Sequence, residues 1–189
     1  EHQRYGLELG SVIERSDRFE EACEILTMLF SQDRTTFRGK YYELDEAPME
    51  PKPLQNPLPL LIGGGGEKRT LRTVARFATE WNCWGRPEEL RHKIGVLERH
   101  CEEVGRDPAE IQKSAVGVLI FAETEEKAAE LQENLGHRSG LVGTPAQLRQ
   151  VVAEYAAVGV DELLVPDFAV SVGERNDHLD RFRAEVVDY

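Results

Sequence analysis

Four glycines in succession, Gly63, Gly64, Gly65 and Gly66, follow the apolar run Leu58 to Ile62 and precede Glu67-Lys68-Arg69-Thr70-Leu71. Glycine lets a backbone turn tightly and brings its N–H groups close to a ligand. A helix start behind such a turn adds N–H groups without intrahelical partners and the positive end of the helix dipole. That combination binds phosphate. Lys68 and Arg69 add positive charge at the same mouth. The run is neither a Walker loop, since no Gly-Lys-Ser/Thr closes it, nor a spaced Gly-x-Gly-x-x-Gly fingerprint. The plain alternative is a turn and nothing more, but four glycines between strand and helix exceed what a turn needs.

Trp81-Asn82-Cys83-Trp84-Gly85 is the second segment of interest. Ligands of parallel sheets gather at the carboxyl ends of the strands. Asn82 at such an end can hydrogen-bond a heteroaromatic ring, and a tryptophan can stack on one. Core or rim packing is the simpler role for Trp81 and Trp84. His2 and Tyr5, ahead of the first helix, can reach a phosphate or ring, or can be loop surface. His92, His100 and His178 fall in helices and read as packed or solvated. His137 sits in the loop Gly136-His137-Arg138-Ser139-Gly140, a candidate for a substrate-facing role.

Other chemistries find little footing. His100 and Cys101 are adjacent and so point to different sides of a helix, and no metal constellation is expected. Ser114 and Ser139 lack evident His and Asp partners for a triad. Cys83 would act as a nucleophile only if its thiol were acidified, and buried packing is its ordinary role. Glu102-Glu103 and Glu125-Glu126 read as solvated helix faces. No catalytic acid or base is identifiable.

The elements that must position these residues follow from periodicity. Ser11 with Glu14 forms a capping box for a helix whose apolar face is Phe19, Ala22, Cys23, Leu26, Leu29 and Phe30. Two β-prone runs around Arg38-Gly39-Lys40 read as a hairpin. Pro48, Pro51, Pro53, Pro57 and Pro59 exclude a helix interior or central strand over 45–59 and give an extended, ordered connection. Strands are expected at 58–62, 80–85, 114–122 and 162–165. Helices are expected at 67–79, from Pro87 to Gly105, from Thr124 to about Leu135, from Thr144-Pro145 to Gly159, and at the carboxyl end around Leu179, Phe182 and Val186. Strands alternating with helices imply an α/β fold with a parallel sheet and right-handed crossovers.

Composition narrows the function classes. The chain has 189 residues, 40% of them hydrophobic and 31% charged, with 23 Lys and Arg against 35 Asp and Glu for a net charge of −12. This opposes non-specific binding to nucleic acid or an anionic membrane face, and no apolar run is long enough to span a bilayer. Cys23, Cys83 and Cys101 are an odd number without C-x-x-C spacing, so the expected compartment is a reducing cytoplasm.

Several blocks, taken in order, resemble bacterial luciferase-like monooxygenases. They are Glu1-His2-x-x-Tyr5-Gly6, Phe37-x-Gly39-x-Tyr41-Tyr42, Pro51-Lys52-Pro53-Leu54-Gln55-Asn56-Pro57, Ile62 through Thr70, Leu71-Arg72-x-Val74-Ala75-Arg76-Phe77-Ala78, Trp81-Asn82, Gly105-Arg106-Asp107-Pro108 and Gly143-Thr144-Pro145. The run from Ile62 to Leu71 is the most specific part. The likeness is strongest to the deazaflavin (coenzyme F420)-dependent oxidoreductase branch.

The resemblance implies a (β/α)₈ barrel that binds a reduced flavin or deazaflavin at the carboxyl ends of its strands and moves hydride or activates oxygen there. Carried over by position, Gly63, Gly64, Gly65 and Gly66 with Glu67 and Lys68 hold the cofactor phosphate, Asn82 lies near the ring, and Tyr5 lies on the phosphate side. The implied cofactor is coenzyme F420, with FMN as the alternative, and the substrate is a small molecule. The hairpin and proline-rich connection, 32–59, form an insertion before the fifth strand. The family's first four strands have no counterpart, the chain opens with Glu1, and a full barrel takes about 250 residues. The expectation is therefore one domain over 1–189: the carboxyl-terminal half of a barrel, with about four parallel strands and outer helices. The second reading is a non-catalytic phosphate- or cofactor-binding half barrel, completed by a partner chain or another copy.

Overall fold

The computed structural model describes residues 2–136, 140–166 and 171–189. The first long helix, α1 (Val12–Ser31), starts where its capping box demands: Ser11 Oγ accepts the Glu14 N–H, and the Glu14 carboxylate accepts the Ser11 N–H. The hairpin follows as β1 (Thr35–Arg38) and β2 (Glu43–Ala47), antiparallel, with Gly39 N–H closing the turn onto the Tyr42 carbonyl. The proline-rich connection is docked onto α1, because Lys52 Nζ donates to the Leu29 and Gln32 carbonyls at the carboxyl end of that helix.

The alternating part comprises β3 (Leu61–Gly63), α2 (Thr70–Phe77), β4 (Glu80–Trp84), α3 (Pro87–Val104), β5 (Gln112–Val116), β6 (Leu119–Phe121), α4 (Glu125–Leu135), β7 (Leu141–Gly143), α5 (Pro145–Ala157), β8 (Glu162–Leu164) and α6 (Arg175–Phe182), which runs into a π-helical turn at Arg183–Val187. Strands β3, β4, β5 and β8 pair in parallel in that order. This is the expected four-stranded segment of a (β/α)₈ barrel.

The register gives the sheet two unlike faces. Ile62, Trp81, Cys83 and Ala115 point toward the helices and are buried with Leu71, Val74, Leu90, Leu97, Leu148 and Tyr155 in one core. The opposite face carries three layers: Leu61 with Glu80 and Gln112; Gly63 with Asn82, Ser114 and Glu162; and Trp84 with Val116 and Leu164. In a closed barrel that face would be the interior. Here Leu61, Trp84 and Leu164 on it are exposed.

Some expectations are corrected. The strand expected over 114–122 breaks at Gly117, a position that suits glycine because a Cβ there would meet Leu141 Cγ at 3.0 Å. Its second part, β6, leaves the main sheet and pairs in parallel with β7. Strand β7 has no sequence signal, because Leu141-Val142-Gly143 is too short to show a period. Helix α2 begins at Thr70 and not at Glu67. On α1, Cys23 is buried but Phe19 and Leu26 stay exposed. That helix meets α2 through ion pairs, Asp17 and Glu20 with Arg69 and Glu20 with Arg76. Val104 and Leu179 also remain exposed.

Candidate functional site

The glycine run leaves the carboxyl end of β3. Gly64 N–H donates to the Asn82 carbonyl at 2.9 Å, which extends the β3–β4 pairing by one step. Its φ of +119° is a conformation that side chains rarely adopt. Gly65 then approaches β4 so closely that a Cβ would lie 2.9 Å from Cys83 Sγ. The run is thus fixed from behind, against the sheet, and not merely turned.

Three side chains secure it. Trp81 Nε1 donates to the Gly64 carbonyl at 2.8 Å. Lys93, from α3, donates through Nζ to the Gly65 carbonyl at 2.8 Å. His100 Nε2 contacts the Glu67 carbonyl at 2.8 Å. The Glu67 carboxylate turns the same way, toward His92 at 3.2 Å and Lys93 at 3.5 Å. The hydrogen bond from His92 holds that carboxyl below its usual range, and Lys93 adds to the effect. The Gly65 and Glu67 carbonyls and the one acidic side chain of the loop are therefore engaged from α3, and the Gly64 carbonyl from Trp81 of β4. Among the described residues, no N–H of Gly65, Gly66, Glu67 or Lys68 donates to a protein acceptor. A backbone turned this way, carbonyls satisfied and N–H groups unengaged, fits an anion.

The helix behind the run contributes less than the sequence suggests. A turn over Glu67-Lys68-Arg69 separates glycines from helix, and the Leu71 N–H returns to the Gly66 carbonyl at 3.0 Å. Lys68 is exposed, whereas Arg69 is paired with Asp17 and Glu20. The cation that does border the run comes from elsewhere. Val12, Arg15, Ser16 and Phe19 of α1 line an open cleft of about 270 Å³ with Gly63 and Thr70. The Arg15 guanidinium donates to the Gly10 carbonyl at 3.0 Å and forms no ion pair among the described residues. No spacing rule in the sequence links Arg15 to Gly63, 48 positions on, because only the packing of α1 across the mouth of β3 joins them.

Asn82 lies one layer in, opposite Gly63 and Ser114, half-buried on the open sheet face. Its Nδ2 donates to Ser114 Oγ at 2.8 Å. Trp81 belongs to the core, while Trp84 is partly exposed on the open face. Burial pushes the Cys83 thiol up, with Lys93 opposing, so packing is its role. Tyr5 sits in a 3-10 turn (His2–Tyr5), exposed and not among the residues lining the Arg15 cleft. His178 reaches the Leu119 carbonyl and packs edge-on against Phe121, away from the glycine run. His137 lies outside the described residues. No helix among the described residues is long and apolar enough to cross a membrane.

Residues 1–135 match a family model described as luciferase-like monooxygenase. The chain is 27% identical over 194 residues to an FMNH(2)-dependent dimethylsulfone monooxygenase of Pseudomonas fluorescens, covering 80% of this chain and 52% of that protein. It is 29% identical over 128 residues to an F420-dependent glucose-6-phosphate dehydrogenase of Kineococcus radiotolerans, covering 66% and 37%. In three dimensions it resembles an F420-dependent secondary alcohol dehydrogenase solved with an F420–acetone adduct, with a TM-score of 0.75 at 20% identity, over 95% of this chain and 63% of that one. A long-chain alkane monooxygenase gives a TM-score of 0.71 at 16% identity, over 98% and 60%. The chain thus spans about half the length of the dimethylsulfone monooxygenase it matches.

Proposed function

The chain belongs to the luciferase-like monooxygenase family, and on that footing we propose that it forms the phosphate- and ring-holding part of an oxidoreductase acting on a small molecule. The proposed cofactor is coenzyme F420, with FMN as the alternative. The observation that carries the reading is the glycine run at the carboxyl end of β3, with carbonyls tied to Trp81 and Lys93 and N–H groups unengaged. Such a cofactor supplies hydride transfer or oxygen activation when bound.

The chain's own residues bind and orient. The N–H groups of Gly65, Gly66, Glu67 and Lys68 take the phosphate oxygens, and Arg15 balances their charge. Asn82 meets a polar edge of the ring from the open sheet face. Trp84 and Leu164, on the layer nearest the carboxyl ends, cover it from water. The side chains of Glu67, His92, His100 and Lys93 hold the loop and stay clear of the ligand. Tyr5 would contribute only from the rim.

A second reading, a binding module completed by another chain, draws on the two outer strands β3 and β8, each of which pairs on one side only among the described residues.

Side-by-side titration with coenzyme F420 and FMN tests the proposal. It predicts saturable binding of both, with F420 at least tenfold tighter. A preference for FMN overturns the choice of cofactor, and failure of both to bind overturns the site. Binding without turnover, with turnover restored by a partner that closes the sheet, favours the second reading.

A further inference from the structure

Asn82 and Ser114 stand opposite each other in the β4–β5 register. Asn82 Nδ2 donates to Ser114 Oγ at 2.8 Å, and the Ser114 hydroxyl donates to the Trp81 carbonyl at 3.3 Å. A serine hydroxyl has one proton to give. With that proton committed to Trp81, Oγ offers Asn82 a lone pair, and only the NH₂ end of the amide satisfies it. Ser114 is 5% exposed, so water has little room to compete. The carboxamide is therefore held in one of its two orientations. Its Oδ1 points away from Ser114, and among the described residues no protein donor meets it. An Asn without this constraint would present a donor or an acceptor equally well to the open face.

We propose that Ser114 is a positioning residue that fixes Asn82 Oδ1 as an acceptor for a ring N–H, so that the site selects the imide N–H on the pyrimidine edge of a flavin or deazaflavin. The inference rests on the cofactor reading above and adds to it which group of the ring is recognised. A ligand without that proton leaves a half-buried acceptor unmet, which carries a penalty of a hydrogen bond's order.

The test compares FMN with 3-methyl-FMN, in which a methyl group replaces the imide proton. The wild-type chain is expected to bind FMN tenfold or more tighter. In Ser114→Ala the amide is free to turn, and the ratio falls to threefold or less. Ser114→Thr keeps the hydroxyl and keeps the ratio. A merely structural role for Ser114 would move both affinities together and leave the ratio alone. Nuclear Overhauser contacts from the Asn82 side-chain NH₂ to the Ser114 β-protons, read in the ligand-free wild type, check the orientation without any variant, and their absence overturns the proposal. An unchanged ratio in Ser114→Ala also overturns it, because the methyl would then be excluded by bulk alone. A wild type that binds both flavins equally overturns this inference and leaves the phosphate reading standing. A wild type that binds neither flavin removes the cofactor reading and this inference with it.

Discussion

At the scale of single residues, the site is held together by groups whose type the sequence displays and whose partners it hides. The glycine run stands out in the chain because four glycines between a strand and a helix exceed what a turn needs, and Asn82 because it is a polar residue between tryptophans in a strand. Arg15, Lys93 and Ser114 do not, because each reaches the site from a different element by tertiary packing. Tyr155 makes the same point in the core. It is nearly fully buried and donates through its hydroxyl to the Gly85 carbonyl at 2.9 Å, which ties α5 to the end of β4. Burial, with Glu88 and Glu89 nearby, pushes its ionisation well above the ordinary value of 10.0. The unfolded chain ionises this tyrosine near pH ~10 and the folded chain does not, so its stabilising contribution is complete below that pH and declines as the pH rises past it. Tyr155→Phe leaves the Gly85 carbonyl unpaired and is expected to cost about 1–2 kcal/mol at neutral pH. It should also flatten the alkaline decline. Urea unfolding at neutral pH and above pH ~10 reads both, and an unchanged neutral midpoint would count against the buried hydrogen bond.

At the scale of elements, capping and periodicity located most helices well. Ser11, Thr124 and Thr144 cap α1, α4 and α5 as their spacing demands, and Gly105 ends α3 at φ +70°. What stayed hidden depends on long-range contact. Leu141, 24 positions away, packs close against Gly117 at the break, and the short strand β7 pairs in parallel with β6. The hairpin shows the energetics of such contacts. Glu21 on α1 accepts N–H donors from Lys40, Tyr41 and Tyr42 at 2.8, 3.0 and 3.1 Å. Desolvation works against its charge, yet these donors hold its carboxyl below the usual range. A carboxyl lowered in the folded state stabilises above the ordinary carboxylate pKa, and the contribution fades as pH falls through it. Glu21→Gln should therefore lower the urea midpoint at about pH 6 and make the decline toward about pH 3 shallower. A variant with the wild-type acid profile would show that the three donors do not act on the carboxylate.

At the scale of the whole molecule, the sheet is covered by helices on one side and open on the other. The sequence conveyed four parallel strands alternating with outer helices, since buried strands read as short apolar runs between helical periods. It could not convey which strand residues face the open side, because both faces carry apolar residues. Trp81 and Trp84 report on the two faces separately, at 1% and 39% exposure. Acrylamide should quench one tryptophan component and spare the other, and Trp84→Phe should remove the quenched one. Bound cofactor should protect Trp84, whereas a ligand seated elsewhere would leave the quenching unchanged. The central claim, that the glycine run and Arg15 together grip a phosphate, is tested most directly by calorimetric titration of FMN and riboflavin, which differ only in that group. The wild type is expected to bind FMN at least tenfold tighter, and Arg15→Met should reduce that advantage several-fold while leaving riboflavin binding unchanged. Equal affinity of the wild type for FMN and riboflavin would contradict it.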